Sequence, residues 1–87
     1  MKIKNTFMLR QIAGTWIAMT VGENADKVEG VLSLNDSGVL LWKCLEQGCD
    51  LEQLVSALTN EYDIDKLQAM DDVKAFVEKL RDLDCLE

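Results

Sequence analysis

The stretch Gly30-Val-Leu-Ser-Leu-Asn-Asp-Ser-Gly-Val-Leu-Leu-Trp42 changes hydrophobic period halfway along, and that change constrains the fold more than any other feature. From Gly30 to Leu34 it alternates. Leu32 and Leu34 fall on one face, Val31 and Ser33 on the other, as in a β-strand. Asn35, Asp36 and Ser37 then form a run of candidate helix N-caps, short side chains able to accept from an otherwise unpaired helix N–H. Leu41, Trp42 and Leu45 follow at helical spacing. A strand that passes straight into a capped helix divides the chain into a sheet-forming N-terminal part and a helical C-terminal part.

The flanking sequence agrees with that division. Phe7 to Ile12 and Thr15 to Val21 read as two strands, and Ala13-Gly14 between them is a two-residue hairpin loop with a glycine available for positive φ. In the second strand Ile17, Met19 and Val21 form one face, Trp16, Ala18 and Thr20 the other. Gly22 to Lys27 is polar and irregular, a loop, and Val28 to Leu34 is the third strand. The first helix is expected from about Asp36 to Gln47, with Gly48 where a terminating glycine belongs. Asp50 and Gln53 have capping-box spacing and open a second helix whose apolar stripe is Leu51, Leu54, Val55, Leu58 and Tyr62. Asp65 and Gln68 repeat the pattern and open a third helix, to about Leu83. Its apolar band is wide: Met70, Val73, Val77 and Leu80 make one row, Ala69, Phe76 and Leu83 another. Either both rows pack in the core, or one flank lines a groove. The expected fold is α+β and winged helix-turn-helix-like: a three-stranded antiparallel sheet followed by a three-helix bundle, in a single domain over residues 1–87.

Composition narrows what such a fold can do. The chain has no histidine, which excludes a His-assisted nucleophile and a His metal site. Its three cysteines, Cys44, Cys49 and Cys85, form no common metal motif, and an odd number without a secretion signal argues against a disulfide framework. Cys44 is expected to pack in the core from the first helix. Asp71-Asp72 are helix neighbours pointing about 100° apart, a solvated face rather than a catalytic pair. Asn35-Asp-Ser-Gly38 lacks the spaced glycines and lysine of a phosphate loop. Enzymatic activity, a metal and a cofactor are therefore not expected. No apolar run approaches the roughly 18–20 residues that span a bilayer, and the N-terminal residues lack the apolar stretch of a signal peptide, so the expected location is the cytoplasm.

Charge separates two remaining uses. Residues 1–20 carry Lys2, Lys4 and Arg10 and no acid, a balance of +3, whereas residues 21–87 carry −10. In a DNA-binding winged helix a basic recognition helix enters the major groove. Here Asp65 to Glu87 hold four basic and seven acidic residues, which repels a duplex. A three-stranded sheet, however, leaves edge strands. An edge is either protected or used, and using it means taking an extended peptide as an added strand.

Three segments resemble the PqqD-like family in order: Glu29-Gly-Val-Leu-Ser-Leu-Asn-Asp-Ser-Gly-Val-Leu-Leu-Trp42, Cys49-Asp-Leu-Glu-Gln-Leu-Val-Ser-Ala-Leu-Thr-Asn-Glu-Tyr-Asp63 and Asp72-Val-Lys-Ala-Phe-Val-Glu-Lys-Leu-Arg-Asp-Leu-Asp-Cys-Leu86. The resemblance implies a winged helix-turn-helix-like domain that recognises ribosomally made, post-translationally modified peptides. It would be a non-catalytic adaptor that binds the leader of a precursor peptide by strand addition. It would present that peptide to a modifying enzyme, often a radical S-adenosylmethionine enzyme, in pyrroloquinoline quinone biosynthesis or another such pathway. In related domains the leader lies beside the third strand and against the third helix. Carried onto this chain, the strand edge would be Val28, Glu29, Gly30, Val31, Leu32 and Ser33. The helix wall would draw on Asp72, Val73, Phe76, Val77 and Leu80, undivided between groove and core. The chain departs from many family members in having Asp84-Cys85 where they close with a glycine. The alternative readings are a winged-helix DNA-binding regulator, which lacks its basic helix here, and a dimerisation module whose exposed strand pairs with itself. Self-pairing to a homodimer would use the same edge as the leader.

Overall fold

A computed structural model of the protein describes residues 1–20 and 30–87. Strands β1 (Phe7–Ile12), β2 (Thr15–Thr20) and β3 (Gly30–Leu34) precede helices α1 (Asp36–Gln47), α2 (Leu51–Glu61) and α3 (Lys66–Asp82). The α+β order expected from the change of period is present. The expected Gly22–Lys27 loop and the strand positions Val21, Val28 and Glu29 lie outside the described residues.

The strands form one antiparallel sheet in the order β1-β2-β3. Ala13 and Gly14 both take positive φ, 51° and 82°, which makes the hairpin a type I′ turn whose twist matches that of the strands. Ile12 pairs with Thr15 across it, and the register runs back to Phe7 opposite Thr20. On β3, Leu34 faces Trp16, Ser33 faces Ile17 and Leu32 faces Ala18. The pairing then skips to Gly30 opposite Met19, so Val31 is the extra residue of a β-bulge. The face carrying Phe7, Leu9, Trp16, Ala18, Leu32 and Leu34 packs on the helices, with Ala18 fully buried. Thus Trp16 and Ala18, not Ile17 and Met19, point to the core.

Each helix begins as its cap residues predict. Asn35 Oδ1 accepts from the Gly38 N–H at 2.9 Å and from the Ser37 hydroxyl at 3.0 Å. Asp50 and Gln53 form a reciprocal capping box. Asp65 accepts from the Gln68 N–H, but the Gln68 side chain turns forward and donates to Asp72 Oδ1 at 2.9 Å instead of closing a box. α1 stops at Gly48, whose φ of 88° suits glycine alone among common residues.

The C-terminal turn solves the missing-glycine problem differently. Asp84 itself takes a left-handed φ of 58°. Around it the Cys85 N–H donates to the Leu80 carbonyl at 2.9 Å and the Asp84 N–H to the Arg81 carbonyl at 3.0 Å, the two bonds of a Schellman closure. Lys4 Nζ lies 2.8 Å from Asp84 Oδ1. The N-terminal ribbon holds this end in place: the Lys4 N–H donates to the Cys85 carbonyl, the Glu87 N–H to the Lys2 carbonyl and the Ile3 N–H to the Leu45 carbonyl.

One apolar core joins the layers. It contains Leu41, Trp42 and Leu45 of α1, Leu54, Val55 and Leu58 of α2, and Ala69, Val73, Val77 and Leu80 of α3. Ala69 therefore replaces Met70 in the buried row of α3; Met70, Phe76 and Leu83 are half-buried on its flanks. Cys85 is fully buried, and Cys44 and Cys49 are half-buried against the core, all three as free thiols.

Candidate functional site

β3 is an edge strand, and among the described residues no strand lies on its outer side. The direction of its backbone groups follows from the hairpin. In a two-residue turn the Thr15 N–H donates back to the Ile12 carbonyl, so the backbone groups of Thr15 point toward β1. Strand alternation then turns Trp16 and Ala18 toward β3, which makes Trp16–Leu34 and Ala18–Leu32 the hydrogen-bonded pairs. Ser33 lies between them, so its N–H and C=O point outward, away from β2. At Val31 the bulge interrupts this alternation.

The outward edge of β3 borders a cleft of about 1010 Å³. Leu32, Ser33 and Leu34 line one side, and Asp72, Ala75, Phe76 and Lys79 of α3 line the other. Its floor and end come from Asn35 to Gly38 and Leu41 of α1, and from Leu58, Tyr62 and Ile64 at the end of α2. The cleft exists because α3 packs chiefly on α2 and β3 on β2 and the start of α1. Gly38 allows a close join at its end: a Cβ there would sit 3.2 Å from both Asn35 Oδ1 and Leu34 Cδ2. Half-buried Leu32, Tyr62, Ile64 and Phe76 make the interior apolar, and among the described residues Asp36, Asp72 and Lys79 supply the charges on its lining.

The helix-wall residues named from the sequence now separate. Asp72 and Phe76 line the cleft. Val73, Val77 and Leu80 are buried in the core and hold α3 against α2 from behind. The two sets are neighbouring rows on one helix. Ala69, Val73, Val77 and Leu80 face inward, while Asp72, Ala75, Phe76 and Lys79 are displaced by one residue, about 100° around the axis. On the strand side, Leu32 and Ser33 line the cleft, Gly30 and Val31 continue the same edge, and Val28 and Glu29 lie outside the described residues. Tyr62, Ile64 and Lys79 were not among the peptide-binding residues expected from the sequence. Tyr62 is the last member of the α2 stripe and reads as core by period, and only its place past the helix end exposes it to the cleft.

Neither of the two cysteines with a raised thiol pKa lies on the cleft lining. Burial pushes the Cys85 thiol up from its ordinary range, Asp84 adds to the shift, and Lys4 opposes it. Burial also raises Cys49, with Cys44 adding to it. Both thiols thus favour the protonated, unreactive form. Among the described residues no group of acidic residues and cysteines is arranged to hold a metal ion, and no helix is long and apolar enough to cross a membrane.

Comparison with known proteins agrees with this fold. A structure described as TbiB1 in complex with the TbiA(beta) leader peptide superposes with a TM-score of 0.77 at 24% identity, over 100% of this chain and 95% of that one. A structure of lasso peptide synthetase B1 complexed with the leader peptide gives 0.69 at 20% identity, over 93% and 89% of the two chains. At these identities the likeness is one of fold. A search of curated proteins returned no match. The family profile for coenzyme PQQ synthesis protein D matches residues 20–86, from the end of β2 through the C-terminal closure, and the chain accordingly belongs to the PqqD family.

Proposed function

We propose that the protein is a non-catalytic adaptor that takes the leader of a ribosomally made precursor peptide as a fourth strand along β3 and presents it to a modifying enzyme. The observation that carries this reading is an open strand edge facing an apolar cleft whose far wall is a helix. Backbone bonds to Ser33 would supply affinity without regard to sequence, and the cleft would select side chains. Added-strand residues opposite Leu32 and Leu34 share the face of those leucines, which packs toward the helices. The favoured leader therefore carries two apolar side chains at i and i+2, flanking the residue bonded to Ser33. Phe76 with Tyr62 and Ile64 would receive one of them, Asp72 and Asp36 would favour a basic residue nearby, and Gly30 and Val31 would extend the edge. Family membership supports the reading, and so do two structural neighbours that are themselves leader-peptide complexes.

Family resemblance supports a radical S-adenosylmethionine enzyme as the one that would receive the leader. The acidic α3 argues against the DNA-binding alternative. The test is an amide NMR titration with the precursor peptide encoded beside the gene. Shifts should follow the β3 edge and the Asp72–Lys79 row of α3. A titration that leaves both unmoved overturns the reading.

A further inference from the structure

The sheet has a second face, of which the cleft lining takes in Thr15 and Ser33 but not Met8, Arg10, Ile12, Ile17 or Met19. Met8 and Met19 are paired on it, Arg10 pairs with Ile17, and Ile12 with Thr15. Among the described residues none of these apolar side chains packs against the core, in contrast to Phe7, Leu9, Trp16 and Leu32 on the inner face. Ile12 is 47% exposed, and Met8, Ile17 and Met19 are half-buried. In their midst stands Arg10, exposed and without an ion pair or hydrogen bond among the described residues. Lys4, by contrast, is held by Asp84.

We infer that this outer face is the docking surface for the peptide-modifying enzyme, and that it takes an apolar protein surface carrying a carboxylate opposite Arg10. The inference rests on the adaptor reading. Methionine adapts to irregular apolar partners, and arginine pairs with a carboxylate through two parallel hydrogen bonds. Both residues are enriched where proteins meet. Charge complementarity fixes the sign of the occupant. Arg10 is the one charged residue of β1, β2 and their turn, whereas residues 30–87 are strongly acidic, so an acidic partner is drawn to β1–β2 and turned away from the helices. A second copy of the chain fits less well, because each copy carries a net −7. The position serves an adaptor: the leader occupies the β3 edge on the helix side, while the enzyme meets β1 and β2 on the other side, so both can be held at once.

The experiment measures two affinities separately, for the leader peptide and for the modifying enzyme from the same gene cluster, with wild type, Arg10→Glu and Ile17→Ser. Thermal melts confirm that each variant is folded. Docking through this face predicts that Arg10→Glu weakens enzyme binding at least tenfold, that Ile17→Ser weakens it severalfold, and that leader affinity stays within twofold for both. Raising the salt should weaken wild-type enzyme binding and leave the Arg10→Glu variant little changed. Enzyme affinity unchanged in both folded variants overturns the inference. So does a wild-type homodimer that Arg10→Glu dissolves, which would assign the face to a second copy. Enzyme binding that depends on Arg10 in a chain that ignores the leader would uphold this surface and overturn the cleft reading instead.

Discussion

Replacing Ser33 with proline separates strand addition from every other mode of peptide binding. Proline removes one backbone N–H and holds φ near −65°, which an edge strand tolerates. By the alternation set at the Ile12–Thr15 turn, the Ser33 N–H points away from β2, so the β2–β3 ladder keeps all its bonds. The folded chain should therefore melt within a few degrees of wild type. A bound leader, however, loses one neutral hydrogen bond, a net ~1 kcal/mol, and its stranded carbonyl costs about 1–3 kcal/mol where water cannot reach it. Allowing for partial hydration at an open edge, the total is roughly 1.4–2.8 kcal/mol, or about 10- to 100-fold in Kd. Leu32→Pro is the paired control. It deletes the donor that faces Ala18 and removes a half-buried leucine from the inner face, and should cost about 2–4 kcal/mol of fold stability. Against a total of about 5–15 kcal/mol for a typical domain, that is a large drop in Tm. The assay is fluorescence anisotropy with a labelled leader, alongside thermal denaturation by circular dichroism. A Ser33→Pro chain that melts like wild type and binds the leader with full affinity would refute addition along β3. A Ser33→Pro chain that unfolds while Leu32→Pro stays stable would refute the assigned direction of the strand.

Three further outcomes follow from the same geometry. Phe76→Ala should weaken leader binding with a modest change in Tm, whereas Leu80→Ala, in the buried row, should cost about 2–5 kcal/mol of stability by denaturant titration and leave the affinity of the folded fraction unchanged. At residue 84, glycine relieves the left-handed strain of about 1 kcal/mol but gives up the exposed Lys4 pair, worth about 0–1 kcal/mol, while alanine keeps the strain and loses the pair. The expected order of Tm is therefore Gly at or above Asp, with Ala lowest. Because burial raises the folded-state pKa of Cys85, the neutral thiol's contribution to stability is complete below the ordinary thiol value of about 8.5 and is lost as pH rises through the raised one. Wild type should thus lose more stability than Cys85→Ala in urea titrations run on either side of that window.

The sequence by itself determined the parts and their order. Period-two alternation in Gly30 to Leu34, the Asn35, Asp50 and Asp65 caps and the Gly48 stop are local signals, each readable within a few residues because the hydrogen bonds they make are local. The closing turn was less legible, since Asp84 takes a backbone conformation usually left to glycine, with cooperation from Lys4, which is distant in the chain. Tertiary structure alone decided the site. Phe76 and Val77 are both apolar neighbours on α3, and only the position of α2 puts Val77 in the core and Phe76 at the cleft. Likewise Val31 and Ser33 share a face by alternation, yet the cross-strand register places a bulge at one and turns the backbone of the other outward. Periodicity reports which side chains are apolar. Which of them meet each other, and which backbone groups stay open to a partner, depends on packing and pairing between segments far apart in the chain.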